Sequence, residues 1–188
     1  MTGSGVLLRA APVLFGTSSL TFTVTVCEAI FIRPLVEMAR RDTKLRTHSN
    51  RVLPAHGRWL WCGLGIVFSM YPLGIATAII NLATARIASS GEGGGGGMAG
   101  SQRIAAGFYA AGIGFSALHF IWGPRAIRLL GSIRRDENMD GDRTRDNTAA
   151  MEAWVRLNAV RGILTDFPQW VCYFIAFIAS TWPEKFLH

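Results

Sequence analysis

Long apolar stretches separated by shorter polar ones organise this chain. Crossing about 30 Å of hydrocarbon takes roughly 20 apolar residues in a helix. Four runs approach that length, at roughly 12–36, 59–85, 104–124 and 162–182. The first, "PVLFGTSSLTFTVTVCEAIFI", is rich in Ser and Thr, lacks an Ala-x-Ala exit and carries Glu28, so it reads as a retained span and not as a cleaved signal peptide. A single span has no core of its own, so residues 1–188 are expected to form one domain. The fold class that follows is an all-α integral membrane protein, a four-transmembrane-helix bundle.

The polar residues inside these runs are spaced like helix faces. Ser18, Thr21, Thr25 and Glu28 share a face of the first span, and Tyr109, Gly112, Ser116 and His119 share one of the third. Asn158, Arg161, Thr165, Gln169 and Cys172 continue the pattern along the fourth. The second has a weaker version in Met70, Gly74, Thr77 and Asn81. Such stripes are expected to face the bundle interior, because the alternative is lipid. Hydroxyls in membrane helices often serve packing alone. Glu28, His119 and Arg161 are different, since a charged group at mid-bilayer costs about 2.5–3.5 kcal/mol on insertion scales.

Between the spans, "ASSGEGGGGGMAGSQ" (88–102) predicts a flexible Gly-rich loop, and "RRDENMDGDRTRD" (134–146) a solvated one followed by a helix starting at Asn147 or Thr148. Pro34, Pro72, Pro124 and Pro168 punctuate the apolar runs and are candidate kinks. Several tryptophans, Trp122 and Trp170 among them, fall near span ends, where the membrane interface suits them.

Composition strengthens the membrane reading, with 50% hydrophobic and 16% charged residues. The formal charge of +7 is unevenly placed. Seven Lys or Arg lie in 33–58 and eight in 125–161, against two in 86–103. Basic residues concentrated in alternate loops put the first and third loops in the cytosol and both termini in the lumen. That distribution argues against nucleic acid as a partner and for the lipid bilayer. Cys27, Cys62 and Cys172 form no CxxC pair, and no spacing suggests a metal site or a dinucleotide loop.

With this topology Glu28, His119, Asn158, Arg161 and Asp166 fall at one depth, and a polar pocket in the cytosolic half of the bundle is expected. Two plainer readings stand beside it. Arg161 fits a helix-end arginine reaching head groups, and Glu28 with Arg161 fits a structural ion pair.

The segment "WVRLNAVR" before the last span, preceded by a basic loop, and "FYAAGIGFSALHFIWGP" (108–124) resemble the corresponding parts of small four-span proteins related to fungal anthrone oxygenases. The resemblance covers roughly 104–182, and the first half only through architecture. It implies an endoplasmic-reticulum enzyme of fungal-type secondary metabolism, associated with other biosynthetic enzymes. The reaction implied is oxidation of an anthrone-like aromatic polyketide to a quinone, with molecular oxygen as co-substrate and no bound cofactor. His119 would then be the base, since imidazole titrates near neutrality, with Glu28 as second candidate or orienting group. Asn158 and Arg161 would stabilise the developing oxyanion. Tyr109, Phe115, Ser116, Trp154, Thr165 and Asp166 would contact a small aromatic hydrophobic substrate, Asp166 also holding Arg161. A membrane cyclase or isomerase would use the same groups without oxygen. A non-enzymatic tetraspan scaffold is the remaining expectation.

Overall fold

The computed structural model describes residues 3–21, 30, 32–91, 100–136 and 146–181. Among them there is no strand. The helices are α1 (Gly3–Leu20), α2 (Arg33–Arg41), α3 (Thr43–Gly91), α4 (Gly100–His119), α5 (Gly123–Arg134), α6 (Asn147–Arg161) and α7 (Phe167–Thr181). A 3-10 turn, Phe120–Trp122, joins α4 to α5, and a π-turn, Gly162–Asp166, joins α6 to α7.

Three helical stretches are long and apolar enough to cross a membrane: Val67–Ile87, Gly100–Arg134 and Asn147–Thr181. They take in most of the second, third and fourth expected runs, and the last two extend well beyond 104–124 and 162–182 into charged sequence. The described part of the first run is a shorter apolar helix, Gly5–Leu20. It begins before residue 12, while residues 22–29, Glu28 included, lie outside the described residues. The expected Gly-rich loop is also shorter than 88–102. Helix α3 reaches Gly91 and α4 begins at Gly100, because Ala88 to Ser90 and Ser101 to Arg103 carry no residue that stops a helix.

Pro34 lies in the first turn of α2. Pro124 and Pro168 stand where the 3-10 turn passes into α5 and the π-turn into α7, inside continuous helical stretches, where a proline withholds one backbone donor. Pro72, like Pro54, lies inside α3.

The chain forms two compact units. The first comprises Met1–Ser18, Ser69–Leu118 and Thr165–His188, and thus holds most of α1 and α4, the second part of α3, and α7. Its apolar centre is Ala78, Ala105, Tyr109, Tyr173 and Ala176. Side-chain donors serve backbone carbonyls here. Pro12 has no N–H to offer Leu8, and the Asn81 amide donates to that carbonyl instead, at 3.1 Å. Tyr109 donates its hydroxyl to the Arg9 carbonyl at 3.2 Å, and Arg9 donates to the carbonyl of Ser180. Large side chains such as Leu14, Leu73, Ile79, Ile80, Ile104 and Phe174 stay exposed, as a lipid-facing surface requires.

The second unit comprises Ser19–Phe68 and His119–Leu164. Its core is built from α2 (Ile32 at its cap, Val36), α3 (Leu53), α5 (Ala126, Leu130, Ile133) and α6 (Met151, Trp154, Leu157). Both α2 and α5 are amphipathic and bury one face, leaving Arg33, Arg40, Arg41, Arg125 and Arg128 exposed. Arg40 is hydrogen-bonded to Glu152 at 3.1 Å, and that bond together with the carboxylate charge raises the arginine's pKa above its ordinary value.

Candidate functional site

The start of α6 is fixed by a polar network. Asp146 caps the helix by accepting from the Ala149 N–H at 2.7 Å, and the same carboxylate receives Arg46 through Nε at 2.5 Å and Nη2 at 3.0 Å. Asn50 Oδ1 accepts from both the backbone N–H and the hydroxyl of Thr148, at 2.9 and 2.6 Å. Asn147 donates to the Asn50 carbonyl and to Asp136. The expected helix start at Asn147 is therefore correct, and the third loop's charges do more than face solvent. Arg46, Asn50 and Asp136, all distant from Asp146–Thr148 in sequence or beyond a loop, set where α6 begins and how it is rotated.

That rotation buries Met151, Trp154, Asn158 and Arg161 at steps of three and four residues, one face of α6. Trp154 is 5%, Asn158 4% and Arg161 7% exposed, and His119, in the same unit, is 6% exposed. The His119 ring stands edge-on to Phe120, centroids 5.8 Å apart. Neither the amide nitrogen nor the carbonyl oxygen of Asn158 has a hydrogen-bond partner, nor does Trp154 Nε1. Trp122, which packs against the same apolar cluster, likewise has an unpartnered buried Nε1. An unmade buried hydrogen bond costs about 1–3 kcal/mol. In the second unit the unpartnered buried groups are thus the Asn158 amide and the indole nitrogens of Trp154 and Trp122, together with Ser19 Oγ and Asn147 Oδ1.

Glu28 lies outside the described residues, and the remaining expected site residues belong to the first unit. Ser116 donates to the Gly112 carbonyl at 2.8 Å and lies 2.9 Å from the Tyr173 hydroxyl, all buried. Tyr109 is engaged with Arg9, and its ring lies 6.5 Å from that of Tyr173. Thr165 donates its hydroxyl to Asp166 at 3.0 Å within the π-turn, a wide turn often met at functional positions. Phe115 is half-buried in α4. The candidates thus divide into His119, Trp154, Asn158 and Arg161 in one unit and Tyr109, Phe115, Ser116, Thr165 and Asp166 in the other.

The stripes of the third and fourth spans are buried at every position, from Tyr109 to His119 and from Asn158 to Cys172. The first is not. Ser18 and Thr21 are exposed, and Pro12, Gly16 and Ser19 are buried in their place. A Cβ on Gly16 would meet the Trp170 ring at 3.5 Å, an ordinary packing distance, and Trp170 Nε1 donates to Thr17 Oγ1 at 2.9 Å, so this part of α1 packs against α7. In the second part of α3, among the described residues from 67 to 87, Val67, Tyr71, Gly74, Ala78 and Asn81 are buried, with Met70 and Thr77 half-buried. Sequence reasoning missed Tyr173 and the indole N–H groups of Trp122 and Trp154. The absence of any interfacial explanation for Trp154, mid-way along a polar helix, was the one available signal.

Known proteins similar to this chain are fungal and named as epoxidases. Epoxidase pydX of an Acremonium species is 29% identical over 90% of this chain and 91% of its own length. Epoxidase gkaX of Penicillium citrinum is 27% identical over 93% of this chain and 94% of its own, and the probable epoxidase scpX of Mollisia scopiformis 27% over 90% and 93%. No family model matches the chain, and no solved structure matches it.

Proposed function

We propose that this protein is a membrane-embedded enzyme of fungal-type secondary metabolism that adds oxygen to a hydrophobic, unsaturated substrate. The observation that carries the reading is the Asn158 amide, buried on the Arg161 face of α6 with both polar atoms unpartnered. The end-to-end similarity to proteins named epoxidases supports the oxidative chemistry.

In this proposal Asn158 and Arg161, one turn apart, hold an oxygen atom of the substrate that gains negative charge as the reaction proceeds. His119 takes the proton, with Glu28 as the alternative base. Two oxygenations fit these roles, and they differ in electron balance. An anthrone loses its benzylic proton to a base, the anion reduces molecular oxygen, and anthraquinone and one water result with no external reductant. Epoxidation of an alkene by molecular oxygen yields epoxide and water only when two further electrons and two protons are supplied. For that reaction an external two-electron reductant is part of the proposal.

Microsomes containing the intact protein test the first reaction through conversion of anthrone to anthraquinone under labelled oxygen, after subtraction of the spontaneous rate. Enhancement that Arg161→Gln and His119→Ala abolish at matched protein levels supports anthrone oxidation at this face. Failure to exceed empty microsomes removes the anthrone reaction and leaves reductant-dependent epoxidation as the chemistry to assay.

A further inference from the structure

The outer face of α5 carries charge that the protein does not neutralise. Ile121, Arg125 and Arg128 follow one another at steps of four and three residues and are all exposed, Ile121 by 70%, with Ile127 36% exposed beside them. Another face of the same helix, Ala126, Leu130 and Ile133, enters the core of the second unit with Met151, Trp154 and Leu157 of α6. Arg125 and Arg128 stand near the end of Gly100–Arg134, a stretch long and apolar enough to cross a membrane. No Asp or Glu occurs in the sequence from 104 to 135, and neither arginine forms an ion pair with a described residue. Arg40 and Arg156, also exposed, are by contrast both paired with Glu152.

A face that joins apolar side chains to two guanidinium groups calls for an occupant with an apolar part and an anionic part. Guanidinium groups match phosphate oxygens two at a time. A soluble phosphate would leave Ile121 and Ile127 in water. An acyl chain would cover them while its phosphate meets the arginines, whose stems can extend along apolar surface to the level of the head groups.

We propose that Arg125 and Arg128 form a binding site for the head group of an anionic phospholipid, with Ile121 and Ile127 against its acyl chains. Phosphatidylcholine is a poorer occupant, because its own ammonium balances the phosphate and the chain from 104 to 135 has no carboxylate to receive that ammonium. In phosphatidylinositol the sugar is uncharged, and the phosphate is left to the arginines. A ligand bound to the folded protein and not to the unfolded chain raises its stability, so this lipid should also raise Tm. The site is independent of the oxygenase reading, since neither arginine touches the Asn158 and Arg161 roles.

The test uses the full chain, purified in detergent and freed of copurified lipid, and titrated in mixed micelles with phosphatidylinositol or phosphatidylcholine. Native mass spectrometry counts bound lipid, and thermal unfolding follows Tm. Phosphatidylinositol should bind saturably and more tightly than phosphatidylcholine, and should raise Tm further. Glycerophosphoinositol, the same head group without acyl chains, should bind far more weakly. Arg125→Gln with Arg128→Gln should weaken phosphatidylinositol binding about tenfold to thirtyfold. Lys44→Gln with Arg51→Gln removes the same charge from exposed positions of α3 and should leave that binding within about twofold of the parent. An unchanged Tm in phosphatidylcholine establishes that each variant keeps its fold, and the two single arginine changes replace the double one if it does not. Equal affinity for the two lipids overturns the proposal, and equal weakening by the two double changes reduces the site to the general attraction of a basic surface and also overturns it. Glycerophosphoinositol binding as tight as that of the lipid overturns it in favour of a soluble phosphate. Absence of saturable phosphatidylinositol binding overturns it and leaves an acidic protein surface as the partner to seek.

Discussion

Asn81 donates its amide N–H to the carbonyl of Leu8 at 3.1 Å, taking the place of the backbone donor that Pro12 lacks. A polar residue on an apolar span thus repairs a defect made by a proline on another helix. Asn81→Leu is expected to destabilise the protein by about 1–3 kcal/mol, the range for an unsatisfied buried acceptor. In a Pro12→Ala background, where residue 12 supplies its own N–H, the same change should cost less. Denaturant unfolding of the four proteins in micelles measures the coupling. Equal costs in both backgrounds would show that Asn81 does not serve this carbonyl.

Tyr173 fills the space that a side chain at Gly112 would need, its ring falling well inside contact distance of a Cβ built there. Gly112→Ala should therefore destabilise by about 1–3 kcal/mol through overpacking. Gly107 on the same helix has open space, and Gly107→Ala should change stability by less than about 0.5 kcal/mol. Thermal unfolding compares the two directly.

The hydroxyls of Ser116 and Tyr173 should respond asymmetrically. With Tyr173→Phe, Ser116 keeps its bond to the Gly112 carbonyl. With Ser116→Ala, the buried Tyr173 hydroxyl loses the partner 2.9 Å away. Ser116→Ala is accordingly expected to cost more, by about 1 kcal/mol, and a double-mutant cycle reads the difference.

Asp146 both caps α6 and binds Arg46 through both oxygens. Asp146→Asn retains a capping oxygen and loses the charge pair, whereas Asp146→Ala loses both. Hydrogen exchange at Thr148 and Ala149 should accelerate in the order parent, Asn, Ala, with the cap alone accounting for about 1 kcal/mol. Indistinguishable exchange for the two variants would contradict the capping role.

The all-helical character and the buried faces of the third and fourth spans were legible because residues such as Tyr109, His119, Asn158 and Arg161 recur at helical spacing in apolar surroundings and have only one inexpensive direction to face. The first span misled for a physical reason. Hydroxyls bond their own helix, as Thr17, Thr77 and Thr84 do with carbonyls one turn earlier, so exposed Ser18 and Thr21 cost little and carry no directional information. The face that is buried packs Gly16 against Trp170 of α7, a property of two helices and of neither alone. Within the candidate site, the polar residues could be named from spacing, but the unpartnered state of Asn158 and Trp154 could not, since it depends on which side chains surround them. The Arg46–Asp146 pair, 100 residues apart, likewise has no local signature.

The most direct test of the central claim needs no knowledge of the substrate. In an organism that encodes this chain, the gene is deleted and hydrophobic metabolites are compared by mass after growth under isotopically labelled oxygen. The account predicts that one metabolite loses a labelled oxygen atom on deletion, that the wild-type gene restores it, and that Asn158→Leu and Arg161→Gln, present at equal membrane levels, do not. A deletion that accumulates an isomer of the product, with its oxygen content unchanged, would contradict the oxygenase account in favour of a cyclase or isomerase. Restoration by both variants would contradict the placement of the site on α6.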